Sequence, residues 1–256
     1  MNETCPVVLH QLALFLIPIA QILTEAQKNN LITKFLQNKN LQELFNINQQ
    51  IMSRTNNIQK LLGDPELRVK SIKPSGDCFY QTVVEAYLTL NKDILEHKNI
   101  EKEPDDTPAM ALRRTAANAV DDEVFNDFSM FHAAGLPDFS FMRRVRSTSD
   151  LRQRMLVSGA GAGAGQCLWA NEFEIRVVSS ALNIICLILD MQTRDEHSRF
   201  VRVGEVDKTD LSQKFIILQR TRREHFNLIY SQTDTCLGLF SYDEISNEVK
   251  ALWKLK

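Results

Sequence analysis

Cysteine is scarce in this 256-residue chain, and its five examples (Cys5, Cys78, Cys167, Cys186, Cys236) are odd in number and widely scattered. There is no Cys-x-x-Cys pair and no Cys/His ligand spacing. That pattern excludes a disulfide framework and a zinc site, calls for no metal or cofactor, and fits a reducing, cytoplasmic compartment. An excess of charge is missing too: 30 Lys and Arg face 32 Asp and Glu, a formal net charge of −2. Neither nucleic acid nor an anionic membrane is expected as a partner on that balance. A long unbroken apolar span is also lacking. Val7 to Leu23 is strongly apolar but interrupted by His10, Gln11, Pro18 and Gln21. It falls short of the ~20 residues that cross a bilayer, and no Lys or Arg precedes it as in a signal peptide. It reads as a buried or partner-binding helix kinked near Pro18.

What is present is ordinary for a globular protein: 44% hydrophobic and 24% charged residues. Apolar residues recur at helical spacing through the first sixty positions, and Gly63-Asp64-Pro65 then breaks the pattern. A helical extension over 1–63 and a main domain over 64–256 are expected. Thr107-Pro108 opens a helix running to Val120, and Asp121 or Asp122 caps the next. A turn follows at Gly135-Leu136-Pro137-Asp138. Arg143, Arg144, Arg146, Arg152 and Arg154 form a local basic cluster without interleaved aromatics, which reads as a solvated face. The alternating Gly and Ala of 159–165 read as a flexible connector. Asn171 caps a helix that ends at Asn183, and Ile184 to Leu189 is a continuous apolar run typical of a central strand. Further strands are expected at Phe200–Val203, Lys214–Gln219 and His225–Tyr230, with a last helix capped at Ser241 and running to about Trp253. Helices followed by clustered strands give an α+β class with a small, mainly antiparallel sheet flanked by helices.

Two stretches carry chemistry. In the first, Lys73-Pro74-Ser75-Gly76-Asp77 delivers Cys78 to the start of an apolar helix. A helix N-terminus favours thiolate over thiol, and its N–H groups can hold a developing oxyanion. Taken alone, a cysteine on an apolar helix is more often a small buried hydrophobe. The second stretch, Glu224-His225-Phe226-Asn227-Leu228-Ile229, reads as a strand, so His225 and Asn227 share one face. That spacing lets the amide orient the imidazole, leaving the other ring nitrogen as a base. Cys186, inside the apolar run, is expected to be inert.

Three ordered blocks together resemble the ovarian-tumour (OTU) family of cysteine deubiquitinases. Ser75-Gly76-Asp77-Cys78-Phe79-Tyr80 is similar to its nucleophile loop, Trp169 to Ile188 to its Trp-Gly-Gly-X-X-Glu block, and His225-Phe226-Asn227-Leu228 to its histidine strand. The resemblance spans about Leu67 to Ser231. It implies a papain-like cysteine-protease fold of the OTU type and hydrolysis of (iso)peptide bonds at the C-terminal glycine of ubiquitin. The roles it implies are nucleophile for Cys78, base for His225, and orienter for Asn227. Ser75, Gly76 and Asp77 would form the oxyanion loop, and Trp169, Ala170, Asn171 and Glu172 a channel for the substrate tail. Ubiquitin or polyubiquitin is the implied partner, with a ubiquitin-like modifier as the alternative. The chain departs from the family in two places. Ser75 stands where the family usually has Asp, and Trp169-Ala170-Asn171 stands for Trp-Gly-Gly. A ubiquitin-binding module without activity, another Cys–His–Asn acyl-transfer enzyme and a scaffold with an unreactive Cys78 therefore remain open readings.

Overall fold

The computed structural model describes residues 57–255 apart from 163–165, 194, 196, 208, 222–224 and 233–236. The extension as far as residue 56, with the Val7–Leu23 run, lies outside the described residues, as do Cys5, Cys236, Arg222 and Arg223.

Six strands of the described residues form one sheet: β1 (Leu67–Lys70), β2 (Ile184–Asp190), β3 (Phe200–Val203), β4 (Lys214–Thr221), β5 (His225–Ser231) and β6 (Leu239–Phe240). Their order is β1-β5-β4-β2-β3, with β6 also on β4. The β1–β5, β2–β3, β4–β5 and β4–β6 pairs are antiparallel. The central β2–β4 pair is parallel, with Ile184 beside Lys214 and Asp190 beside Arg220. The class is therefore α+β with a mainly antiparallel sheet. β1 and β6 are too short to announce themselves by periodicity.

β2 is buried along its whole length, as expected of a strand covered on both faces. Its side chains alternate between two cores. Ile184, Cys186 and Ile188 pack with the helices of the upper face. Ile185, Leu187 and Leu189 pack below with Ile58, Leu62, Trp253 and Leu255. Residues 57–62 are helical, so the lower core begins ahead of the breaker, where Gly63 takes a φ of 68°.

The upper helices start where local chemistry requires. α1 is Cys78–Leu88. The Thr107 hydroxyl accepts from the Met110 N–H to open α2 (Pro108–Asn118), and Asp121 does the same for α3 (Asp122–Ala133). The expected turn at 135–138 leads into a 3₁₀ segment, Pro137–Arg144. Ser147 caps α4 (Thr148–Met155). α5 (Glu172–Leu182) carries a complete capping box between Asn171 and Glu174, and Asn183 ends it in the left-handed region at φ 53°. The final helix, α6, is Asn247–Leu252 with Ser246 as its cap. Ser241 does not start it, which corrects the sequence expectation. The Glu244 carboxylate accepts from the Ser241 N–H and hydroxyl, but that exchange closes a turn.

Candidate active site

Gly76, at φ 85°, turns the chain sharply into α1 and places Cys78 at its first position. α1 lies against β5, where the Phe79 and Phe226 rings meet edge to face at 5.6 Å. This packing brings the two distant stretches together: the Phe226 N–H donates to Cys78 Sγ at 3.4 Å. Phe226 is flanked by His225 and Asn227, so thiol, imidazole and amide converge on one end of the strand.

The hydrogen-bond network fixes the imidazole's tautomer. Asn227 is buried, and its Oδ1 accepts from the Ile72 backbone N–H at 3.0 Å. Its Nδ2 donates across the ladder to Gln219 Oε1 at 3.1 Å. A backbone N–H can only donate, so the amide oxygen is the atom on that side. His225 Nε2 lies 3.1 Å from the same oxygen and must therefore carry the proton. The neutral ring then holds its lone pair on Nδ1, which is buried from solvent.

Burial pushes the Cys78 thiol up to about 11, against the lowering effect of the N–H groups of Phe226, Phe79 and Cys78 itself. The N–H groups at the helix start do lower this value, as expected, but burial outweighs them. The thiol is 1% exposed, and desolvating a thiolate costs more than three neutral donors return.

The loop before Cys78 is held from behind by Arg113, a residue with no local sequence signal. Its guanidinium is fully buried. Nε and Nη2 donate to Asp77 Oδ1 at 3.1 and 2.7 Å. Nη2 also reaches the carbonyls of Gly76 (3.1 Å) and Leu168 (3.0 Å), and Nη1 that of Met155 (2.8 Å). The Ser158 hydroxyl donates to Asp77 Oδ2 at 2.8 Å. Ser75 helps little: among the described residues its buried hydroxyl has no hydrogen-bond partner. Its N–H is turned onto Lys73 O at 2.9 Å and so is withdrawn from any oxyanion role. The described part of the Gly/Ala run is no loose connector either. Gly159–Ala162 forms a helical turn, and a Cβ on Gly159 would sit 1.5 Å from the Ser75 carbonyl oxygen.

Trp169, Ala170, Asn171 and Glu172 all line one groove of about 1100 Å³. Part of its lining is aromatic, with Phe128, Phe131, Phe139 and Phe141 in edge or tilted contact. Asp127, Asp138 and the Glu172–Arg176 and Asp190–Arg220 ion pairs supply its charge. Cys167 lines the groove as well, and its thiol lies 3.8 Å from Ser75 O. Cys167 thus links the groove to the loop that precedes Cys78, although Cys78, His225 and Asn227 do not themselves line it. Glu172 is exposed and paired with Arg176. Glu174 is buried as the α5 cap and does not line the groove.

No family model matches the chain, and no curated protein matches it in sequence. Solved structures do match. One is an ovarian tumour (OTU) domain in complex with ubiquitin, at 15% identity and TM-score 0.41, covering 73% of this chain and 81% of that one. The OTUD1 OTU domain matches at 13% identity and TM-score 0.41, over 71% and 97% of the two chains. An OTU deubiquitinase from Wolbachia pipientis wMel, bound to ubiquitin, matches at 14% and TM-score 0.37, over 65% and 97%. These structural neighbours are OTU domains.

Proposed function

We propose that this protein is a thiol-dependent deubiquitinase of the OTU type, hydrolysing (iso)peptide bonds at the C-terminal glycine of ubiquitin. The observation that carries the reading is the convergence of Cys78, His225 and Asn227 through the 3.4 Å Phe226 N–H to Sγ contact. With Nε2 bound to the amide, Nδ1 is the ring atom that takes the proton from Cys78. Sγ then attacks the carbonyl carbon, and the imidazolium returns the proton to the leaving amine. Water, deprotonated by the same nitrogen, releases the acyl group and regenerates the thiol. Asn227 is neutral, so it orients the ring more than it stabilises the cation. Ubiquitin as substrate rests on the resemblance of the three sequence blocks. The groove supports it: its four acidic side chains outnumber its two arginines, which suits a basic tail, and Cys167 in its lining contacts the Ser75 carbonyl.

The burial of Cys78, which pushes its thiol up to about 11, favours a second reading, a module that binds ubiquitin without cleaving it. Ubiquitin bearing a C-terminal thiol-reactive warhead separates the two. The expected result is a covalent adduct of one ubiquitin, absent in Cys78→Ala and strongly slowed in His225→Ala. Folded wild-type protein that binds ubiquitin but forms no adduct overturns the hydrolase. Reaction with a ubiquitin-like modifier in preference to ubiquitin would reassign the substrate.

A further inference from the structure

We infer that Arg113, Ser158 and Gly159 are positioning residues that lock the oxyanion loop with its N–H groups facing the reaction, in place of an acceptor at position 75. The inference rests on the hydrolase reading above and goes beyond it in assigning how the loop is held.

In a trans peptide the C=O and the following N–H point in opposite directions. Arg113 Nη2 holds the Gly76 carbonyl at 3.1 Å, so the Asp77 N–H is directed away from the guanidinium. Ser75 O faces Gly159 and the Cys167 thiol, so the Gly76 N–H is directed away from them. Two successive peptide planes are thereby fixed from the side opposite their donors. Gly76 is the residue where such planes would otherwise flip freely, since it sits at φ 85° and carries no Cβ.

Each of the three residues does a separate part of this. The Arg113 guanidinium joins Gly76 and Asp77 to Met155 at the end of α4 and to Leu168 beside the groove. Ser158 holds the second oxygen of Asp77, which keeps that carboxylate off the N-terminus of α1, where it makes no side-chain cap bond. Gly159 contributes by lacking a side chain: with a Cβ 1.5 Å from Ser75 O and 2.9 Å from Cys167 Sγ, the Ser75 carbonyl could not stay where it is. The side chain at 75 makes no hydrogen bond among the described residues, so the hold comes from the rear of the loop. An oxyanion hole requires donors placed before the reaction, and losing one such donor costs about 10²- to 10³-fold in kcat.

The test compares wild type with Ser158→Ala, Ser158→Thr, Gly159→Ala and Arg113→Lys, using a fluorogenic C-terminal amide of ubiquitin. Iodoacetamide alkylation of Cys78 serves as the parallel readout, because displacement at that reagent needs no oxyanion. Ser158→Ala and Gly159→Ala should lose about 100-fold in kcat with KM and alkylation rate within about two-fold, and Ser158→Thr should restore most of it. Unchanged kcat, or kcat and alkylation falling together, overturns the inference. Amide hydrogen exchange over residues 75–78 decides it even if wild type cleaves no ubiquitin substrate, the result that would instead sink the hydrolase reading. Exchange there should rise at least ten-fold in Ser158→Ala and Gly159→Ala while the β2 amides keep their protection. Unaltered exchange in the loop refutes the lock.

Discussion

Asn227 and Gln219 face each other across the β4–β5 ladder, the Asn227 amide donating to Gln219 Oε1 at 3.1 Å. Because that bond and the Ile72 N–H fix which end of the amide meets His225, the pair sets the tautomer of the base. Asn227→Ala should cost roughly 10²-fold or more in kcat, and about 1–3 kcal/mol in stability from the buried partners left unmatched. Asn227→Asp keeps two acceptors for the Ile72 N–H and Nε2–H, and Gln219 can rotate its own NH₂ toward the carboxylate. It should retain at least a tenth of wild-type activity. Steady-state kinetics and urea unfolding of both variants check this; equal losses in the two would show that the amide does not orient the ring.

The thiol's resting state has a direct signature. With Cys78 pushed up to about 11 by burial, its alkylation by iodoacetamide should climb steadily from pH 7 to 9 without reaching a plateau. A plateau below pH 7 would mean that a thiolate–imidazolium pair already exists in the free protein.

Burial raises the Glu174 carboxyl from 4.5 to about 7, against the N–H groups of Asn171 and Glu174 and the charge of Arg113. The folded protein therefore holds this proton more tightly than the unfolded chain. The resulting stabilisation is complete below pH 4.5 and is lost as pH rises through about 7. The shift corresponds to roughly 3 kcal/mol. Urea unfolding of wild type and Glu174→Gln at pH 4.5 and 7.5 should show their stability difference changing by about that amount. A difference that does not vary with pH would show that Glu174 titrates normally.

Asp77 and Arg113 are an ion pair with side chains 4% and 1% exposed. Removing one partner strands the other charge away from water. Asp77→Ala should cost about 3–5 kcal/mol, far more than removing either partner of the exposed Arg176–Glu172 pair, worth about 0.3–0.5 kcal/mol. Chemical unfolding at neutral pH measures both, and similar small losses would contradict the burial argument.

The parts of the site that sequence reasoning reached are those written locally. Helical spacing after Cys78, the Asn171 cap and the alternation through His225 and Asn227 each span only a few residues, and each stands as expected. Arg113, Ser158 and Gln219 were not legible, because their meaning lies in partners that folding brings from 36, 81 and 8 residues away. Ser241 shows the opposite error. Its exchange with Glu244 is present, yet a Ser-x-x-Glu motif satisfies a turn as well as a helix start, and α6 begins at Asn247. The Gly/Ala run misled by composition: small residues are equally suited to loose chain and to tight approach, and Gly159 is there for the second. The upward push on the thiol was missed because burial, its cause, is invisible in a linear string.

The alternation along β2 has a consequence for how this chain tolerates change. Its two sets of side chains belong to separate cores, one beneath the Cys78 helix and one around Trp253. Inserting a single amino acid near Ile184 would exchange their allegiance, presenting to the thiol's helix the surface shaped for the C-terminal end. Length in this strand is thus under tighter constraint than identity: many apolar swaps would pass, whereas one extra residue would dismantle the platform on which nucleophile and base meet.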